Sequence, residues 1–198
     1  MKIKLLTLVG GISRDSLNQK YFQALKTLDP EGFEFNSFDI SKLPFFSQDL
    51  ENDPPDRVTE FKEKIREADA VLFITPEYNR SFPGVLKNAI DWGSRPYGHN
   101  LWDSKPAGIL GASIGNIGTF GAQHHLRQVL AYLNMRVVGQ PEVYLNGSEA
   151  FDHQGNFQKE STRELLLKFF EALHELCGFG HFPESYRSVG LEDSPNPQ

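Results

Sequence analysis

Apolar residues recur along this chain in two rhythms: short continuous or alternating runs, and longer stretches where they return about every three to four positions. The first run, Ile3 to Val9, packs Leu5, Leu6, Leu8 and Val9 so closely that it suits a strand covered on both faces. Ser16 and Gln19 then make a capping-box pair, and Tyr21, Phe22, Leu25 and Leu28 follow at helical spacing. Phe33 to Phe38 alternates apolar with polar, which predicts a strand nearer a sheet edge. A loop punctuated by Pro44, Pro54 and Pro55 leads to a helix bearing Val58, Phe61, Ile65 and Ala68. Ala70 to Ile74 is the most strand-like run, and Pro83 opens the next helix, with Val85, Leu86, Ala89 and Ile90 inward.

Ala107 to Gly111 predicts a fourth strand, followed by a glycine-rich loop and a helix carrying Ala122, Leu126, Val129, Leu130 and Leu133. Arg136 to Val138 predicts a short fifth strand. The last helix is expected to begin at a Ser161–Glu164 capping box and to bury Leu165, Leu166, Phe169, Phe170, Leu173 and Leu176. Past Gly178 the pattern dissolves, and Leu191 to Gln198 is polar with prolines, so residues 1–178 form the expected domain and 179–198 an extension ending in disorder. Strands interleaved with helices predict an α/β doubly wound five-stranded parallel sheet with helices on both faces. Its expected order is 2-1-3-4-5, which sets the loops after strands one, three and four side by side at the carboxyl end, where ligands bind.

Composition narrows the classes of function. Lys and Arg number 20 against 26 Asp and Glu, giving a net charge of −6, and no two basic residues are adjacent. Nucleic-acid binding, which needs a positive footprint, is not expected. The one cysteine, Cys177, allows no intrachain disulfide and no cysteine-rich zinc site, which fits a reducing cytoplasm. No run approaches the ~20 apolar residues of a membrane span. The apolar start passes into Gly10-Gly11 without a signal-peptide cleavage site.

The unusual residues fall on the three expected ligand loops. Gly10 to Asn18 combines a flexible turn, hydroxyls, an amide and the cation Arg14 at a helix N-terminus, an arrangement that suits a phosphate, although Ser16 serves equally as a plain cap. Thr75 to Gly84 sets two prolines around Glu77, Tyr78, Asn79 and Ser81, a stiff polar loop able to read the edge of a heterocycle or simply to shape a turn. Gly111 to Thr119 spaces glycines so that backbone can approach a ligand; it is neither a dinucleotide G-x-G-x-x-G nor a Walker A loop.

These residues resemble the NAD(P)H-dependent FMN reductases of the flavodoxin-like superfamily, which include quinone, chromate and azo-dye reductases. The similarity runs over about residues 3 to 175, and its most specific piece is Thr-Pro-Glu-Tyr-Asn-Arg-Ser-Phe-Pro-Gly-Val-Leu-Lys-Asn-Ala-Ile-Asp-Trp, Thr75 to Trp92. The family's first loop usually reads Gly-Ser-x-Arg-x-x-Ser-x-Asn. Aligned on Ser16 and Asn18, this chain has Gly11 at the usual Ser and Ser13 at the usual Arg, with Arg14 next to it. The resemblance implies FMN held by Gly11, Ser13, Arg14, Ser16 and Asn18 at its phosphate. It likewise implies Pro76, Glu77, Tyr78, Asn79 and Ser81 along the isoalloxazine ring, with Ser113, Gly115 and Gly118 on the other flank. It implies NADPH or NADH as co-substrate, hydride transfer to flavin N5, and delivery to free flavin, a quinone or a similar acceptor by ping-pong turnover. The chemistry then belongs to the flavin, with no catalytic side chain and no metal. Relatives are dimers or tetramers, and Gln123, Arg127 and Glu142 match positions that hold some tetramers together.

The remaining candidates carry less. On the loop Arg95 to Trp102, packing of the aromatics is favoured over stacking on a ring. His124 and His125 point about 100° apart on a helix and cannot share one ion. Cys177, beside Leu173 and Leu176, suits a small core residue better than a nucleophile. Two further classes stay open on sequence: a flavodoxin-type electron carrier without a nicotinamide site, and a flavin-free scaffold of the same fold.

Overall fold

The computed structural model describes residues 2–147 and 150–178. Its main sheet has five parallel strands, β1 (Ile3–Val9), β2 (Phe33–Ser37), β3 (Ala70–Ile74), β4 (Pro106–Leu110) and β6 (Arg136–Val137), in the order β2-β1-β3-β4-β6. Between and after them come α1 (Leu17–Leu28), α2 (Asp56–Glu67), α3 (Gly84–Gly93), α4 (Phe120–Tyr132) and α5 (Glu160–Leu176). Two short strands, β5 (Ala112–Ser113) and β7 (Leu145–Asn146), pair separately. Counting only strands of the main sheet, this is the expected 2-1-3-4-5 order.

Alternation within the fully buried strands divides the core. Leu6 and Leu8 of β1, with Val71, Phe73 and Ile109, meet Val58, Phe61, Leu86, Ile90 and Leu126 of α2, α3 and α4. The intervening Ile3, Leu5 and Val9, with Leu72, Ile74 and Leu110, meet Tyr21, Phe22 and Leu25 of α1 and Phe169, Phe170 and Leu173 of α5. Gly108 in β4 is small because a Cβ there would strike the ring of Phe169. Trp102, wholly buried, packs on Phe61 and Phe73 and donates from Nε1 to Ile90 O at 2.8 Å, while Tyr97 of the same loop is 90% exposed. Packing therefore accounts for one aromatic of that loop and not the other.

Several local expectations are corrected. Helix α5 starts at Glu160 with Lys159 as an N-cap lacking a side-chain bond, so Ser161 lies inside the helix. At α1 the Ser16 hydroxyl accepts from Gln19 N–H at 3.4 Å, but the Gln19 amide turns to Gly11 O at 3.1 Å, leaving half a capping box. Cys177 is the C-cap of α5, half-buried, and burial pushes its thiol up to about 11. The expected disordered tail lies outside the described residues. Among the described residues, no helix is long and apolar enough to cross a membrane.

Candidate functional site

The loops after β1, β3 and β4 converge at the carboxyl end of the central strands, and direct bonds lock them to one another. Gly10 N–H donates to Ile74 O at 2.8 Å, and a Cβ on Gly10 would press on Pro83 at 3.1 Å and Pro76 at 3.4 Å. Gly111 sits so tightly that a Cβ would collide with Thr75 O and Thr119 Oγ1. The Asn18 amide donates to Ala112 O at 3.0 Å and its carbonyl oxygen accepts from Ala112 N–H at 2.9 Å. These contacts let three separate loops act as one rigid platform.

In the first loop, a Cβ on Gly11 would fall on Ser16 Oγ, so glycine there leaves the Ser16 hydroxyl in its capping position. Ser13 and Arg14 are exposed, and Arg14 makes no ion pair among the described residues. The Gln19 and Lys20 N–H groups both donate to Ser16 O at 3.1 Å, which leaves the Leu17 and Asn18 amides of the first turn of α1 without intrahelical partners. Exposed hydroxyl, free cation and helix N-terminus together fit a phosphate monoester. Asn18 is the exception, since its 2%-exposed side chain is spent on Ala112 and only its main-chain N–H is left for a ligand.

In the second loop, Tyr78 and Ser81 exchange two backbone hydrogen bonds of 2.9 and 3.0 Å. Asn79 and Arg80 between them take positive φ of 52° and 66°, a tight reversal that asparagine tolerates. Pro76 is buried beneath this turn and Tyr78 is 53% exposed on it. Glu77 points inward: Oε2 accepts from Ala122 N–H at 3.0 Å at the start of α4, and Oε1 meets Arg80 at 3.3 Å. It is a helix cap that joins the second loop to the third. Ser81 Oγ bonds His125 Nδ1 at 2.8 Å, and the His125 ring packs tilted by 57° against Phe82 with centroids 5.2 Å apart.

In the third loop, Ser113 Oγ accepts from Gly115 N–H at 3.1 Å, and Gly118, with φ of 63°, lies against Tyr144, where a Cβ would stand 3.0 Å from the tyrosine's own. Phe120, His124 and Tyr144 form an aromatic cluster beside it, with centroids 4.2 Å apart for Phe120–His124 and 5.4 Å for Phe120–Tyr144. His124 Nε2 lies 3.1 Å from the Tyr144 hydroxyl, and burial, then the neighbouring Glu142, pushes that phenol up to about 12.

Among the described residues, five of the eight exposed large apolar side chains lie on these three loops or at the first residue of α4: Ile12, Tyr78, Ile114, Ile117 and Phe120. Apolar surface concentrated around free amides and a phosphate cradle is what a flat heterocycle with a phosphate tail requires. Ile12, Ile114, Ile117 and Tyr144 were not among the expected site residues, and His125 was weighed only as a metal ligand. The isoleucines carried a signal, as apolar residues stranded in glycine-rich loops; the two others did not, because only tertiary packing brings them here. Gln123 is corrected as an interface candidate: it is wholly buried and its amide donates to Thr119 Oγ1 and Val143 O, both at 2.9 Å. Arg127 and Glu142 lie 3.5 Å apart within the chain and are partly exposed. Among the described residues, no group of three or more His, Cys, Asp or Glu side chains is placed to hold a metal.

Comparison with known proteins agrees with this geometry. The sequence model of a family described as NADPH-dependent FMN reductase matches residues 3–150. A 2-hydroxy-1,4-benzoquinone reductase from a Burkholderia species is 47% identical over 172 residues, covering 86% of this chain and 94% of its own. An NAD(P)H-dependent FMN reductase of Pseudomonas aeruginosa is 44% identical over 174 residues, covering 86% and 93%. Among solved structures, the flavoenzyme NAD(P)H:(acceptor) oxidoreductase FerB of Paracoccus denitrificans superposes with a TM-score of 0.84 at 39% identity, covering 91% of this chain and all of that one.

Proposed function

The chain belongs to the NADPH-dependent FMN reductase family, and from that premise we propose that it binds FMN on the three-loop platform and carries reducing equivalents from NADPH or NADH to a quinone, free flavin or similar flat acceptor. FMN, when bound, would supply the two-electron redox chemistry between nicotinamide and acceptor. The chain's own residues bind and orient. Ser13, Arg14, Ser16 and the first-turn amides of α1 hold the phosphate, with Gly11 keeping the approach clear. The turn at Tyr78–Ser81 meets one edge of the ring, and Ser113, Gly115 and Gly118 meet the other. Pro76 stiffens the base of this arrangement, while Glu77 and Asn18 act one step behind, fixing the loops that make contact.

The observation that carries this reading is the locked convergence of a phosphate cradle, a polar turn and a ring of exposed apolar side chains. One wide face serves both nicotinamide and acceptor in turn, so double-reciprocal plots at several acceptor concentrations are expected to be parallel. Intersecting lines would contradict a shared site. Replacing Tyr78 and Asn79 together by alanine leaves α4 capped by Glu77, so the double variant should fold and bind FMN at least about tenfold more weakly. Wild-type FMN affinity would remove the turn from the site.

A homodimer or homotetramer fits the same surface, since Ile114, at 83% exposed, invites a partner. Arg127 and Glu142 are the interface candidates that retain some exposure. A cytoplasmic location is supported by the lone cysteine.

A further inference from the structure

A cleft of about 440 Å3 lies between α1 and the stretch that follows β2. That volume is within the range of about 300–1,000 Å3 that small-ligand pockets occupy. It shares Ile12 and Ser13 with the first loop, so it begins where the phosphate cradle ends. Its lining includes Thr7, wholly buried, whose Oγ1 has no hydrogen-bond partner among the described residues. A buried hydroxyl left in that state is a standing cost that a polar ligand, or water brought with it, removes.

Asp39, two residues past the end of β2, stands in the same cleft. Its Oδ1 is fixed by Ser41, accepting from the N–H at 3.1 Å and from Oγ at 2.6 Å, whereas Oδ2 faces Lys42 Nζ at 3.8 Å, with the Arg57 charge nearby, and accepts no hydrogen bond among the described residues. One carboxylate oxygen is thus held in place and the other is available to accept. Phe22 and Phe38 supply apolar wall, and the Lys26 ammonium lies 5.0 Å from the Phe22 ring.

The order strand, glycine loop, helix, strand, acid is that of a mononucleotide-binding half, in which the phosphate rests on the helix N-terminus and the acid takes ribose hydroxyls. Here Gly10, Gly11, α1, β2 and Asp39 occur in that order. We propose that the cleft binds the adenosine end of a dinucleotide, whose phosphate lies beside Ser13 and not on the α1 N-terminus that holds the flavin phosphate, with Asp39 Oδ2 accepting from the ribose hydroxyls and the base lying along Ile12 and Phe22. The proposal rests on the flavin-reductase function for the source of that group. Two dinucleotides carry it: NADH as the reductant, or FAD in place of FMN.

Gln23 lines the cleft from the exposed side of α1, so Gln23→Trp fills it without entering the core. Asp39→Asn keeps the acceptor toward Ser41 and turns the other oxygen into a donor. The measurements are calorimetric titration of 5′-AMP into flavin-free and FMN-saturated protein, and fluorescence titration of FMN and FAD. Wild type should bind 5′-AMP, both variants should weaken it by about tenfold or more, and FMN affinity should stay within about twofold. A parallel tenfold loss for FAD, with FAD-saturated protein rejecting 5′-AMP, assigns the cleft to the flavin dinucleotide. The same loss for NADH on FMN-saturated protein, with FAD unaffected, assigns it to the nicotinamide dinucleotide. Absence of 5′-AMP binding to wild type, or equal binding by wild type and both variants, overturns the proposal. Failure of FMN to bind would overturn the flavin reading instead, and the titration on flavin-free protein would still decide the cleft.

Discussion

The Asn18 side chain closes a two-bond ring with the backbone of Ala112, across 94 residues of sequence. Asn18→Ala strands a buried N–H and a buried C=O, so about 2–4 kcal/mol of stability should be lost in denaturant unfolding. A loss under half a kcal/mol would mean that the ring is replaceable by water. Gly111 has backbone, Thr75 O, as well as the Thr119 hydroxyl against the place of its missing Cβ. Gly111→Ala therefore has to displace Thr75 or the loop itself, at about 1–3 kcal/mol. Tyr144 gives the alkaline counterpart. Its folded pKa of about 12 exceeds the ordinary 10.0. Its contribution to stability is present below pH 10 and lost as pH rises through about 12. Tyr144→Phe, which cannot ionise, should make stability fall less between those pH values; an unchanged fall would place the titrating groups elsewhere.

At the scale of elements, Glu77 shows how a loop and a helix come to depend on each other. Its carboxylate caps α4 from a loop 45 residues earlier, so Glu77→Ala should cost about 1 kcal/mol and loosen both ligand loops together. The strands and helices were legible because Leu5, Leu6, Leu8 and Val9, or Phe169, Phe170 and Leu173, must be buried and only one periodicity buries them. Ser16 was legible as a cap because its partner is three residues away. Asn18 and Glu77 were legible as important but not in their roles, since their partners are set by tertiary contact. The same holds for β5 and β7: two residues each carry no periodicity, and their pairing exists because α1 and the segment after α4 flank them. Gln123 was misplaced because a polar side chain on a helix reads as exposed, and nothing local announces Val143 O as its acceptor.

At the scale of the molecule, α1 and α5 cover one face and α2, α3 and α4 the other, so the carboxyl end of the sheet is where backbone amides and loop side chains can meet a ligand. Rigid strands below and mutually bonded loops above give the preorganisation that a loosely held phosphate or ring would lack. The central claim is thus a sequence of events at one open face. The most direct test loads the purified protein with FMN under anaerobic conditions, adds stoichiometric NADPH or NADH, and follows the visible flavin band before and after a quinone is added. Bleaching by a nicotinamide nucleotide and full recovery on adding quinone are expected; a bound flavin that neither nucleotide bleaches would contradict a reductase function.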